Sequence, residues 1–459
     1  MKRREALCVY GAEADEASEF FSAWLTEDPT RKLLILNERI PLQKAAWEHL
    51  LFELKLTFLP SASKKQKEHG EKLFEEFKFL QMGAEALLAD VRDQGKKVVE
   101  NILCNLPYLN GSYRASSFVN RFKGIPAVIC GAGPSLHRHI PLLKNAKEKG
   151  VLFAGGSAVK ALHDQGIRPH AMAYLDPQPP NHLYSQESLK DLPLFFPLRV
   201  AHQVLRTAQG PKVWAADGLS YPVETWLTQQ LGIEEMSVEG GWNVITFCIS
   251  LCALMGCNPI VLVGVDLSLP DGQSYAQGID HTYNNEELIE TKQGITKKDF
   301  LLAADWIAQF AEAHPEISLI NVAKEAWKIP GVKTKPLEKI LKKFSENEIR
   351  FDLSEPLHCK AEVAVQKWKE NKTKACKMIA SMLTLLEQHF PSDPRDSGSY
   401  ALCEVEFEEL PIFQLFLKPM WEVWRNLFEQ QTQIDEPYPG FGATVQKWLF
   451  FQEVLNESV

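Results

Sequence analysis

The sequence predicts an α/β fold: a central, doubly wound, mostly parallel sheet with a small α/β domain before it and a helical domain after it. Three observations carry that reading. Short runs that are apolar on both faces recur between helix-length segments from Pro126 to Val322, glycine-rich turns follow two of those runs, and strand patterning stops after about Pro336. Strands buried on both faces and joined through helices belong to parallel sheets, which bind ligands at their carboxyl ends.

The amino-terminal part opens with two apolar runs, Ala6-Leu7-Cys8-Val9-Tyr10 and Leu33-Leu34-Ile35-Leu36, separated by a helical stretch. A lysine-rich stretch over 61–72 then leads into a long amphipathic region whose apolar residues recur at helical spacing as far as Leu106-Pro107. Strands are expected at 127–130, 151–154, 171–174, 194–197, 213–216, 260–264 and 317–322. Helices are expected at 140–149 and 244–255, and around Trp368, Trp421 and Trp424. The division expected is 1–115, an α/β domain with a helical connector; 116–335, the central domain; and 336–459, the helical domain.

With 459 residues, 45% hydrophobic and 24% charged, the chain is globular and long enough for two or three domains of roughly 150 residues. Its net charge of -9 gives no general attraction for phosphate backbones, so no nucleic-acid partner is expected. The start Met1-Lys2-Arg3-Arg4 is basic, but Gly11, Glu13, Asp15 and Glu16 stand where the apolar part of an export signal would lie. The apolar runs 244–255 and 260–263 are interrupted by Gly256, Asn258 and Pro259, short of the ~20 residues a membrane helix needs. A cytoplasmic protein without a membrane span is expected. Nine cysteines are scattered, and Cys248, Cys252 and Cys257 share an apolar helical run without a nearby histidine, the pattern of buried free thiols rather than a metal site.

Chemistry is expected just after the strands. The run Gly131-Ala132-Gly133-Pro134-Ser135-Leu136 joins a strand to a helix, where glycine permits close approach of a ligand and the helix start favours an anion. The next strand ends in Gly155-Gly156-Ser157, and the one after in Tyr174-Leu175-Asp176-Pro177-Gln178. Two glycine turns and an acidic-polar turn on one sheet edge suit a nucleotide. Further on, Gly240-Gly241-Trp242-Asn243 precedes an apolar helix, and Val265-Asp266 leads into a polar loop, Asp271 to Tyr283, that includes Tyr275 and His281. Long loops of this kind in compact domains are commonly functional. No two aspartates are separated by one residue, so the Asp-x-Asp metal clamp of many sugar-nucleotide enzymes is absent and no metal ligand is assigned.

These motifs resemble the motility-accessory-factor (Maf) glycosyltransferases, and the central domain resembles bacterial sialyltransferases that use CMP-sialic acid. The resemblance rests on Gly131 to Leu136, on Gly166-Ile167-Arg168-Pro169 before Tyr174 to Gln178, and on Gly264-Val265-Asp266 followed by Asp271 to Ala276. It implies a Rossmann-like, sialyltransferase-like domain that takes a nonulosonic sugar from a CMP donor, without cofactor or metal, to a Ser/Thr hydroxyl of a protein such as flagellin or another secreted protein. It further implies donor contacts at Gly131, Gly133, Pro134, Ser135, Gly155, Gly156, Ser157, Asp176, Gln178, Asn243 and Tyr275. Tyr275 would stabilise the departing phosphate, and Asp176, Asp266 and His281 are the candidate catalytic bases. Trp242 and Val265 depart from the family pattern, which reads Gly-Gly-Ser and Gly-Gln-Asp there. The same central motifs are similar to 6-hydroxymethylpterin diphosphokinases, which implies an ATP-dependent alternative, and a non-catalytic nucleotide-binding relative is a third.

Overall fold

The computed structural model describes residues 4–10, 14–28, 30–37, 41–50, 52–180, 191–217, 221–269, 288–346, 348–389, 398–428 and 441–456. The chain forms two compact units, Met1–Val91 and Arg92–Val459.

In the first unit, β1 (Arg4–Tyr10), β2 (Lys32–Leu36) and β3 (Phe52–Thr57) form a parallel sheet in the order β2-β1-β3. The sequence reading lacked β3. Its strict alternation, with Phe52, Leu54 and Leu56 apolar and Glu53 and Lys55 charged, is a strand one face of which is wet. The long helix Lys64–Ala89 starts at a reciprocal Ser63/Gln66 capping box and buries Phe74 and Phe77 against Cys8, Leu36, Ala45 and Ala46.

The second unit is built on a nine-stranded sheet. Its strands are β4 (Tyr113–Arg114), β5 (Ala127–Cys130), β6 (Val151–Gly155), β7 (Ala171–Ala173), β8 (Leu194–Phe196), β9 (Lys212–Trp214), β12 (Ile260–Val263), β15 (Leu319–Asn321) and β16 (Lys333–Thr334). A two-stranded pair, β10 (Ala216–Asp217) with β11 (Ser237–Val238), and a hairpin, β13 (Leu288–Thr291) with β14 (Gly294–Lys297), lie outside it. The order is β16-β15-β12-β5-β6-β7-β8-β9-β4, and every neighbouring pair is parallel. The seven runs read as strands from their apolar pattern are seven of these nine. β4 and β16 were missed because two-residue strands at the two ends of the sheet carry no periodicity.

After β5 the chain steps through β6, β7, β8 and β9 to one side, then returns to place β12 on the other flank of β5. The strand order therefore reverses between β5 and β12, and a crevice opens there at the carboxyl ends. The largely apolar helix Val244–Leu254 packs on one face of the sheet and buries Phe247, Cys248, Leu251 and Cys252 with Ile129, Phe153 and Phe195. Those thiols are free and buried, and burial pushes Cys130 up to about 12 and holds Cys248 far above the ordinary thiol value.

The unit boundary between Val91 and Arg92 lies ahead of the one read near residue 115, and side chains of the helix Gly95–Asn105 give the reason. Asn101 Nδ2 donates to the carbonyls of Pro177 (2.9 Å) and Arg199 (3.1 Å), and Asn105 Nδ2 to those of Leu198 (2.9 Å) and Val200 (2.7 Å). Two buried amides thus satisfy the turns after β7 and β8 and tie this helix to the sheet. The carboxyl-terminal helices, Ala361–His389, Gly398–Glu408, Lys418–Phe428 and Phe441–Asn456, pack in the same unit around Tyr400, Phe407, Trp448 and Phe451. Trp448 Nε1 donates to the Tyr400 hydroxyl at 2.9 Å, which satisfies both polar atoms of an otherwise apolar core.

Candidate functional site

The ends of β5 and β12 are stitched together by backbone. Gly131 N–H donates to Val263 O and Gly133 N–H to Gly264 O, each at 2.8 Å, and Ser135 N–H donates to Asp266 Oδ2 at 2.9 Å. The glycine loop therefore runs on along the extension of β12, one bond every second residue. Glycine is required there by neighbours inside the protein: a Cβ on Gly133 would strike the Asp266 carboxylate and the Gly264 carbonyl, and one on Gly131 would strike the Gly264 carbonyl. Gly264, at φ +67, would in turn strike the Gly131 carbonyl and Leu136. The expectation that these loop amides face a ligand is corrected here, because the N–H groups of Gly131, Gly133 and Ser135 are committed inward.

Asp266 is 6% exposed. Burial raises its carboxyl above the ordinary value, against the opposing pull of the Ser135 hydroxyl and N–H, the Arg138 guanidinium and His139. The Ser135 hydroxyl, also buried, has no hydrogen-bond partner of good geometry. The chain beyond β12 is pinned from the β15 side: Asn321 Nδ2 donates to Val265 O, and Trp327 N–H to Asp266 O, each at 2.8 Å. Leu267 then adopts φ +49, a conformation disfavoured for a branched side chain, and its carbonyl accepts the Thr296 hydroxyl at 2.9 Å.

A cavity of about 140 Å³ lies in this crevice, lined by Gly131, Ala132, Gly133, Gly155, Ser157, Asn243, Val244, Ile245, Gly264, Val265, Asp266, Leu267, Ser268, Asp299 and Phe300. Three helix amino termini reach it: Ser157 begins the helix Ser157–Asp164, Asn243 caps Val244–Leu254, and Asp299 is the second residue of Lys298–Ala313. Each presents the positive end of a helix dipole, and first-turn N–H groups have no partner within their own helix. Asn243 Oδ1 takes the N–H groups of Ile245 (2.9 Å) and Thr246 (3.1 Å), so this side chain is committed as a cap through its oxygen. Convergence of three such ends suits an anion.

Of the residues singled out from sequence, Gly131, Gly133, Gly155, Ser157, Asn243 and Asp266 share this cavity. Pro134, Ser135 and Gly156 lie in the same turns but outside the lining, with Gly156 at φ +47 opening the helix at Ser157. Asp176 and Gln178 are exposed in the turn after β7, where Asp176 Oδ1 accepts the Gln178 N–H at 2.8 Å, and neither lines the cavity. Tyr275 and His281 lie outside the described residues. Trp242 is partly buried against the core and away from the lining, whereas Val265 lines it with a buried side chain.

Asp299 and Phe300 were missed from sequence. The available signal was an acidic residue in the first turn of an apolar-periodic helix, which ordinarily reads as a favourable dipole contact and nothing more. Among the described residues, no group of three or more His, Cys, Asp or Glu side chains stands together as a metal site would. No described helix is long and apolar enough to cross a membrane.

No curated protein matches the sequence. Residues 100–272 match the family model described as 6-hydroxymethylpterin diphosphokinase MptE-like, a span that includes the glycine loop, β12 and Asp266. Among seven matching chains of solved structures is the Maf glycosyltransferase of Magnetospirillum magneticum AMB-1, 14% identical, with a TM-score of 0.56 over 96% of this chain and 70% of that one. The protein thus shares the fold of a Maf glycosyltransferase, with an MptE-like segment forming most of its central crevice.

Proposed function

We propose that the protein is a glycosyltransferase that moves a nonulosonic sugar, of the sialic, pseudaminic or legionaminic type, from a CMP donor to a protein Ser/Thr hydroxyl. The acceptor class is flagellin or another secreted protein, the reaction is cytoplasmic, and no metal or cofactor takes part. The observation that carries the reading is the meeting of three helix amino termini in a cavity at the point where strand order reverses. The likeness in fold to a Maf glycosyltransferase supports it.

In this scheme the donor phosphate is held at the amino terminus of Ser157–Asp164, with the Ser157 hydroxyl as a further donor, and the dipole of Val244–Leu254, whose Ile245 and Thr246 N–H groups Asn243 already takes, adds its positive end. The bond from the anomeric carbon to phosphate oxygen breaks, its electron pair stays on CMP, and the acceptor oxygen bonds that carbon as its proton passes to a base. Tyr275 donates a hydrogen bond to the departing phosphate. The base is one of Asp266, His281 and Asp176, and of these Asp266 borders the cavity. Its inward bond to the Ser135 N–H also makes it the residue that shapes the glycine loop.

The match of residues 100–272 favours a second reading, an ATP-dependent diphosphokinase that works with magnesium. Thermal melting separates the two, because a ligand that binds the native state raises its stability by about 2.7 kcal/mol at a hundred times its Kd. CMP and CDP are expected to raise the melting temperature with no divalent ion added. A shift with ATP that requires magnesium, and none with CMP, would establish the second reading in its place. No shift with either would overturn both readings, and a shift without transfer activity would leave a non-catalytic nucleotide-binding relative.

A further inference from the structure

The cavity lining carries two carboxylates, Asp266 and Asp299. Asp266 is buried and already takes the Ser135 N–H. Asp299 is exposed, one residue into the helix Lys298–Ala313, where the dipole stabilises a negative charge. The rest of the lining offers backbone amides, hydroxyls and apolar groups, with the positive ends of three helices.

This arrangement selects a ligand of mixed character. An anionic group is attracted to the helix amino termini but repelled by the Asp299 carboxylate, which has only acceptor oxygens to offer. The part of the ligand that lies against Asp299 must therefore carry O–H or N–H donors and no negative charge. Two adjacent hydroxyls on a ring meet that requirement, since one carboxylate accepts both. Phe300, half-buried beside it, adds an apolar face for the C–H side of such a ring.

We propose that Asp299 accepts hydrogen bonds from vicinal hydroxyls of a sugar ring in the bound nucleotide, and so selects hydroxylated over deoxygenated ligands. The proposal rests on the nucleotide-sugar reading given above. The ring is either the ribose of the nucleotide or the transferred sugar, which present the same chemistry to a carboxylate.

Calorimetric titration of the full-length protein with CMP, 2′,3′-dideoxy-CMP and CMP-N-acetylneuraminic acid tests the assignment on the unaltered chain and on Asp299→Asn. Hydrogen bonds to a charged group support a preference of about tenfold to a hundredfold. If the ribose is the ring, the unaltered protein binds CMP that much more tightly than the dideoxy analogue, and Asp299→Asn abolishes the difference. If the transferred sugar is the ring, Asp299→Asn leaves both mononucleotides unchanged and weakens the sugar donor alone. Equal affinities of the two proteins for all three ligands, or a uniform loss across them, overturn the role of Asp299 while leaving the donor reading in place. Failure of the unaltered protein to bind any of the three removes the donor reading, and this assignment with it. The exposed position of Asp299 makes the apo melting curves of the two proteins comparable, which separates binding from folding.

Discussion

Two buried carboxyl groups, on opposite halves of the same sheet, make different use of their burial. Asp266 stands after β12 at the rim of the cavity, and Glu224 stands in the helix Pro222–Gln230 beyond β9. Burial raises both. Glu224 is carried to about 8 by desolvation first and then by the nearby Asp217, against its hydrogen bonds from Trp214 Nε1 (3.1 Å) and the Asp217 N–H. Asp266 is also raised by burial, and it accepts the backbone N–H of Ser135 at 2.9 Å. What separates them is position: Asp266 lines the cavity beside three helix ends, whereas Glu224 is buried and is not part of that lining. A perturbed carboxyl becomes a candidate for chemistry only where something can reach it.

The strongest way to break this comparison is Gly133→Val. Its side chain would occupy the position of the Asp266 carboxylate and the Gly264 carbonyl, so a loss of about 3 kcal/mol or more is expected, with complete loss of CMP binding. Denaturant unfolding and calorimetry measure the two effects. Normal stability with lost binding would instead mean that Gly133 faces the ligand directly.

Asp266→Ala leaves the Ser135 N–H buried without its acceptor and should cost about 1–3 kcal/mol. Asp266→Asn keeps an acceptor oxygen and should restore most of that stability. Transfer activity then sharpens the contrast, because an active Asn variant assigns Asp266 to holding the loop, whereas an inactive but stable one makes it the base.

On the other side of the comparison, the Glu224 carboxyl binds its proton more tightly folded than unfolded, since its ordinary value of 4.5 rises to about 8. Its contribution is fully present below the ordinary value and is lost as pH climbs through the folded one. Glu224→Gln should therefore flatten the decline in melting temperature across that window while leaving CMP affinity unaltered. A Gln variant with the same decline, or with weakened CMP binding, would erase the distinction drawn between the two carboxyls.

The smallest effect is expected for Asp176→Ala. Asp176 is exposed and accepts the Gln178 N–H within its own turn, and exposed substitutions of this kind change stability by about 0.5 kcal/mol. CMP affinity should also hold. A tenfold loss of binding would extend the site from β5–β12 across to β7.

The sequence alone determined the strands with a repeating local signal and the turns that follow them. Runs such as Ala127–Cys130, Val151–Gly155 and Ile260–Val263 are apolar on both faces, and a strand sandwiched between helices can be nothing else. The capped, apolar helix after Asn243 was legible for the same reason: its boundary and its burial are written in adjacent residues. Only the tertiary structure decided that β12 lies beside β5, although more than a hundred residues separate them in the chain. That one pairing brings Gly264 against Gly131, puts Asp266 beneath the Ser135 N–H, and lets the helix after the β13–β14 hairpin deliver Asp299 to the cavity. The glycines were recognisable as glycines required by close approach, but what approaches them is another strand, and the partner of a strand is set by long-range packing rather than by its own periodicity. Asp299 was illegible for the same cause, since on a helix surface an aspartate in the first turn looks alike whether it faces solvent or a ligand.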